Sequence, residues 1–534
     1  MMFHLQYLNK EDRMTKNKKT IAGRAFGGIY CLLICVAALS GYAADKVDLL
    51  ACGAAVAGPV LNVPAVDNST YRGKTMFGYQ GWFSHPDAPE PGNFWRHWGD
   101  LSTTNIEGLT VDMYPDLREY CEDEKFDTAY TLPNGEPAPV FSSVHPRTVE
   151  RHMKWVRDYN IDGVFQQRFL SDISSPYERS VCDQVTRNTK AGCDKYGRVF
   201  AMMYDGSGQS NASEKVKKDW MHLVDDLNII GDSYLHHNDL PLVALWGFTR
   251  PETTTPEVLS KLIDWFHHDA PEKYRASVKL GVFKNFYLRT DYSEALNKAD
   301  VLSPWYVGCT QTYAEYESLV EKEIAPAMKW CDERDILFVP VIYPGFSWYN
   351  LLNGGNPQNR TPRDGGKYYW MQSYQNLELG ADTLYLAMLD EVDECTAFFK
   401  TAEDASLSPV EGWWLDLDAD GYQLPSDWYL RLAGQTAAIV RGDIPNSPDI
   451  GTPDEGIMTL YPQAGGIRFV FPDFAGQTTL EISLDGGATW PYSTPDDVGS
   501  FIVDSLPEGT VDVFVRHPGM DAVPMGEVDI PVSP

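Results

Sequence analysis

A chain of 534 residues with 43% hydrophobic and 13% aromatic residues carries enough apolar surface for more than one packed domain, which excludes a lone small module and a disordered chain. Asp and Glu number 75 against 44 Lys and Arg, a net charge of −31. Such a surface repels phosphate backbones and anionic lipid heads, so nucleic acid is not an expected partner.

The chain opens with the three parts of a secretory signal, predicted over residues 1–43. A basic stretch around Lys16, Lys18 and Lys19 precedes an apolar run over 26–41, and small residues follow at Ala43 and Ala44, where cleavage is expected. Glycines interrupt the run, and it is shorter than the ~20 residues a bilayer needs, so an exported protein without a membrane span is predicted. Leu49-Leu50-Ala51-Cys52 hints at a lipoprotein cleavage site, although Lys46 and Asp48 stand where apolar residues belong. The cysteines are nine in all and two lie in the signal, so an odd number is scattered over the rest and no disulfide framework is expected. Cys182 and Cys193 are near enough for a local bridge, with both reduced as the equal alternative.

From Met76 to about Gly434, β-rich apolar runs alternate with amphipathic helical stretches, which predicts a (β/α)8 TIM barrel within residues 44–445. Strands are expected at 76–82, 109–114, 163–169, 199–204, 242–247, 301–306, 337–343 and 383–389. Helices are expected at 147–159, 213–228, 256–267, 313–334 and 366–379. Residues 279–287 also read as a strand, which leaves the register near the sixth unit open. After Arg441 a turn-rich linker opens a second domain, 446–534, whose short strands and Asp485-Gly486 turn predict an immunoglobulin-like β-sandwich in an accessory role.

Active sites of such barrels lie at the C-terminal strand ends. There the sequence places Tyr79, Trp82, Asp112, Tyr204, Asp205, Trp246, Trp305, Tyr306, Trp348 and Asp390, the candidate substrate-binding residues. Aromatic rings pack on the apolar faces of pyranoses while carboxylates bond their hydroxyls, so a polysaccharide or oligosaccharide is the expected partner. The competing expectation is that the aromatics plug the barrel. Asp390-Glu391-Val392-Asp393-Glu394 crowds four acids after the last strand, which raises at least one pKa. A glycosidase requires this, with one carboxyl protonated to donate and another ionised to act as base or nucleophile. Glu391 and Glu394 are the catalytic candidates, with no cofactor needed; an acid loop bound by Arg, Lys or backbone amides is the alternative.

Gly78-Tyr79-Gln80-Gly81-Trp82-Phe83, Ser303-Pro304-Trp305-Tyr306-Val307-Gly308, the segment from Pro340 to Trp348 and the segment from Ala387 to Glu394 resemble glycoside hydrolase families 71 and 99. The resemblance is strongest to bacterial secreted 71/99-like proteins labelled xylosidase/arabinosidase. Family 99 endo-α-mannosidases carry Asn-Glu-Trp-x-Glu after the eighth strand, and Asp390 to Glu394 is similar, with both glutamates at the same spacing. The resemblance implies a retaining α-glycan hydrolase in which Glu391 draws the proton from the sugar's 2-hydroxyl and Glu394 is the general acid/base. Asp390 for Asn and Val392 for Trp alter the pocket beside the reacting sugar. Resemblance to family 71 implies an α-1,3-glucan instead. Hydrolysis of arabinoxylan, and glycan binding without catalysis, are also compatible with these residues.

A second signal is Asp416, Asp418 and Asp420 before Gly421, with Asp427 at the twelfth place. It matches the calcium-loop pattern D-x-D-x-D-G, so these four are candidate ligands of a structural Ca2+. Pro425 and the terminal Asp weaken the second half, and a solvated acidic turn is the alternative.

Overall fold

The structure, a computed structural model, describes residues 65–443 and 445–450 and, beyond them, 459–463, 466–470, 481–493, 500–503, 505–516 and 523–530. The predicted signal and the Cys52 motif lie outside the described residues. Among the described residues no helix is long and apolar enough to cross a membrane.

The central sheet is built from parallel strands β1 (Thr75–Tyr79), β2 (Gly163–Phe169), β3 (Val199–Asp205), β4 (Leu240–Trp246), β5 (Ser277–Val282), β6 (Val301–Pro304), β7 (Leu337–Phe338), β8 (Val341–Ile342) and β9 (Leu384–Leu386). Nearly every residue of β2, β3 and β5 is buried, as expected where helices cover the outer face of a parallel sheet and side chains fill the inner one. Their order is β7-β6-β5-β4-β3-β2-β1-β9-β8. β7 and β8 are two halves of one extended run. Val339 N–H donates to Leu302 C=O beside β6, whereas Tyr385 N–H donates to Pro340 C=O beside β9. Pro340 has no N–H of its own, and the ladder changes sides there. The pairings thus return to their start, and the sheet curls into a TIM-barrel-like ring.

The outer layer comprises α1 (Pro146–Asp158), α2 (Pro176–Tyr196), α3 (Ala212–Asp225), α4 (Pro256–Asp264), α5 (Ser293–Lys298), α6 (Tyr313–Leu319), α7 (Ala325–Asp332), α8 (Lys367–Glu378) and α9 (Trp428–Arg441). Local chemistry sets several ends: Ser175 and Thr255 accept the N–H of Glu178 and Val258, each just ahead of a proline at the first helical position. Helices α6 and α7 join through a π-turn at Val320–Ile324, so the predicted helix over 313–334 forms with one bulge.

The predicted strand at 109–114 does not form. Its apolar alternation is real and all of its residues but Thr110 are buried, but the Asp112 and Met113 N–H groups both reach Val392 C=O, and the segment crosses the end of the barrel instead of joining it. The region that reads ambiguously around 279–287 supplies β5 in its place.

Inside the ring the Tyr385 hydroxyl accepts from Gln167 Nε2 at 2.9 Å. A Cβ at Gly78 would come within 2.2 Å of that hydroxyl, so only glycine fits there. Lys279 on β5 sits with Nζ 4.7 Å from the Tyr385 ring centre and 5.2 Å from that of Phe165, and burial pulls its amine down to about 7.

Beyond the barrel, two antiparallel sheets are described: 459–463, 466–470 and 500–503 in one, and 481–483, 492–493, 509–516 and 523–530 in the other. Ile467, Phe469 and Val503 of the first share a buried cluster with Ile482, Val513, Val515 and Ile530 of the second. Asp485-Gly486 lies in the turn between two paired strands, as predicted.

Candidate active site

The ladder of β9 runs on past Leu386, with Leu389 N–H donating to Gly78 C=O at 2.7 Å, so the acidic segment emerges at the C-terminal end of the ring beside β1. The loop then folds back, because Thr396 N–H bonds Glu391 C=O and Met388 N–H bonds Thr396 C=O.

Asp390 is fully buried, and its two oxygens accept the Gln80 N–H at 2.7 Å and the Gly81 N–H at 2.8 Å. Burial pushes its carboxyl up to about 7, against those two bonds. Gln80, so fixed, donates its side-chain Nε2 to Glu391 Oε2 at 2.5 Å. Glu391 is 1% exposed, and its other oxygen, Oε1, is buried without a hydrogen-bond partner among the described residues. Asp390 therefore positions Gln80, and Gln80 holds one edge of Glu391 while leaving the other edge for a proton donor. Glu394 is half-buried, and Ser347 N–H, from the loop after β8, anchors its backbone carbonyl at 3.1 Å.

Asp393 pairs with His97, Nδ1 to Oδ2 at 3.2 Å. The imidazole lies flat on Trp82, centres 3.6 Å apart and planes 6° apart, and the Phe169 ring stacks on the same indole at 5.2 Å. Trp82 is 8% exposed with His97 stacked on one face, so it is a packed residue rather than an open platform for a sugar ring. Sequence reasoning misses Gln80 and His97 as site residues. Gln80 lies within the Gly78 to Phe83 motif, but nothing local marks His97, whose place depends on Asp393 almost three hundred positions away.

Several further predicted binding residues turn out to be structural. Tyr79 is fully buried, with its hydroxyl 3.0 Å from His152 Nδ1 on α1. The Tyr204 hydroxyl donates to Asp219 on α3 at 2.8 Å, beside the Arg168 ion pair with the same carboxylate. Tyr306 is buried next to Glu323 in the π-turn. All three follow an inward residue (Gly78, Met203 and Trp305) and point outward by strand alternation. Asp112 is fully buried and accepts from Ser347 Oγ at 2.6 Å, Tyr349 N–H at 2.8 Å and Asn350 N–H at 2.6 Å. It clamps the loop after β8 and, through its own N–H, the acidic loop; burial raises it to about 6.

The remaining candidates lie at or just after strand ends: Asp205 closes β3, Trp246 closes β4, Trp305 follows β6 and Trp348 lies in the loop after β8. Trp305, half-buried, lies 5.5 Å from Trp246, which lies 4.8 Å from Phe283. Trp348 packs on Phe346 at 4.8 Å. Asp205, half-buried at the end of β3, accepts Ser207 N–H at 2.7 Å and is raised to about 6 by burial.

The calcium pattern does not close around one point among the described residues. Asp420 accepts from Asn359 at 2.8 Å and from Asp364 N–H at 2.7 Å, whereas Asp427 is committed to Arg431 at 2.8 Å. Asp416 takes the Ser408 hydroxyl, and Asp418 is exposed in its turn. Cys182 and Cys193 are both free thiols on α2, so the local bridge is absent, while Cys121 is disulfide-bonded.

The sequence matches no protein-family model and no curated protein. The structure is similar to that of the GH99 endo-α-mannosidase from Bacteroides thetaiotaomicron, with a TM-score of 0.51 and 16% identity over 70% of this chain and 99% of that one. This is a GH99-like fold. A second structure of that enzyme, in complex with bis-tris-propane, gives a TM-score of 0.51 at 17% identity over 70% and 99% of the two chains. In the GH99-like ring of this chain, Glu391 and Glu394 follow the last strand.

Proposed function

We propose that the chain is an exported retaining endo-glycosidase acting on an α-linked glycan of mannan type. The observation that carries this reading is Glu391, a buried carboxylate with one oxygen fixed by Gln80 and the other without a partner among the described residues. That is the form a base needs to take a proton from a bound hydroxyl. Glu391 accepts the proton of the sugar's 2-hydroxyl, whose oxygen forms a bond to the anomeric carbon as the glycosidic bond breaks. Glu394 gives its proton to the departing oxygen. Water then opens the anhydro ring at the anomeric carbon, passing a proton to Glu394 while Glu391 returns one to the 2-oxygen. Two inversions give net retention. Only carboxyl groups move protons in this scheme, and the likeness to the fold of an endo-α-mannosidase supports the choice of glycan. The C-terminal sheets serve as an immunoglobulin-like accessory module extending the glycan contact.

Incubating the purified protein with α-mannan, α-1,3-glucan, xylan and arabinan, with products followed by NMR, tests this. Oligosaccharides from α-mannan with the α-anomer formed first are expected; a β-anomer first, or turnover of xylan or arabinan alone, defeats the proposal. Asp390→Ala leaves two N–H groups without acceptors and frees Gln80, so a stability loss of about 1–3 kcal/mol and a kcat loss of about 100-fold are expected. A folded variant with unchanged kcat would show that this clamp does not position Glu391.

A further inference from the structure

Arg363 precedes α8 and is only 5% exposed. Its Nη2 donates to the carbonyls of Cys395 and Ala397, each at 2.9 Å, and lies 3.1 Å from Met113 Sδ. The carbonyl between them, on Thr396, turns the other way to Met388 N–H. The return of the acidic loop is therefore gripped from both sides: by the chain running on from β9 through Thr396 and by Arg363 through its two neighbours. Between Glu394 and that grip, Cys395 takes φ 55°, a left-handed conformation that a side-chain-bearing residue holds only with support from its surroundings.

The Arg363 Nε and Nη1 meet no carboxylate among the described residues, and the guanidinium stacks 4.4 Å from the Tyr429 ring on α9. A buried guanidinium without a bonded anion is costly unless nearby charges compensate it. Asp112, Asp393 and Glu394 lie in its neighbourhood, since all three act together with Arg363 on the Cys395 thiol. On the α9 side, Asp364 and Asp420 act on Tyr429 along with Arg363.

We infer that Arg363 is a positioning residue for the catalytic pair, fixing the loop that carries Glu391 and Glu394. The inference rests on the proposed roles of those two glutamates. Both carbonyls are held by the single nitrogen Nη2 of a planar group stacked on Tyr429, a placement that a lysine ammonium on its flexible stem does not reproduce.

Kinetics on α-mannan across pH, with Arg363→Lys and Arg363→Met beside Glu391→Gln, test it. Arg363→Lys should lose kcat about tenfold or more with KM little changed, and keep the wild-type pH limits. Arg363→Met should lose kcat at least as far, again with KM little changed. Wild-type kcat in Arg363→Met overturns the inference. Should that variant fail to fold, full kcat in Arg363→Lys overturns it instead. An inactive Glu391→Gln alongside either result leaves the catalytic reading standing, whereas an active Glu391→Gln removes that reading itself.

Discussion

Glu391→Gln is expected to lower kcat on α-mannan by about 1000-fold or more while leaving glycan affinity within a few-fold of wild type. The amide keeps the volume of the carboxylate and still offers an oxygen to Gln80, so the 2.5 Å contact has no reason to break. What disappears is basicity at the oxygen that has no partner among the described residues. Without it the 2-hydroxyl keeps its proton and is a poor nucleophile at the anomeric carbon. Calorimetric titration with an α-mannan oligosaccharide, paired with turnover measurements, separates the two quantities. Turnover within about tenfold of wild type would mean that the proton goes elsewhere.

Glu394→Gln should be equally damaging on a glycan, by about 1000-fold, but for a different reason and with a different escape. The second glutamate acts on the leaving oxygen, so its loss is felt in proportion to how much that group needs a proton. An α-mannobiosyl fluoride needs none, so in Glu394→Gln release of the first equivalent of fluoride is expected within about tenfold of wild type, with later turnovers slowed because water then lacks its base, whereas Glu391→Gln remains inactive. The alkaline limit of the glycan pH profile should also vanish in Glu394→Gln. Equal losses on glycan and fluoride would contradict the assignment of the acid.

Much of this arrangement is legible in the sequence because it is local. The acidic segment after an apolar strand, the alternation of strands and helices, and the Asp485-Gly486 turn each need only neighbouring residues to be recognised. The failures share a cause, which is that the deciding partner is distant. Residues 109–114 have a strand's alternation but no strand to pair with, and Asp112 spends both oxygens on Ser347, Tyr349 and Asn350. Position alone puts Tyr79, Tyr204 and Tyr306 at the mouth, without the inward-outward parity that only a neighbour such as Gly78 against Tyr385 fixes. Asp427 completes a twelve-residue spacing, yet Arg431, one helical turn on, holds it. Arg363 carries no local signature, since its meaning lies in two carbonyls more than thirty residues away.

The amine on the barrel axis has a consequence for solution conditions. Lys279 falls from 10.5 in an open chain to about 7 once enclosed by Tyr385 and Phe165. Between those two values an unfolded chain holds a proton that the folded ring has surrendered, so folding in mildly basic buffer acidifies its surroundings. From this group alone, stability climbs as pH rises from about 7 toward 10.5 and sits at its floor below 7. A molecule whose exterior is dominated by acids thus has a centre that prefers an alkaline medium.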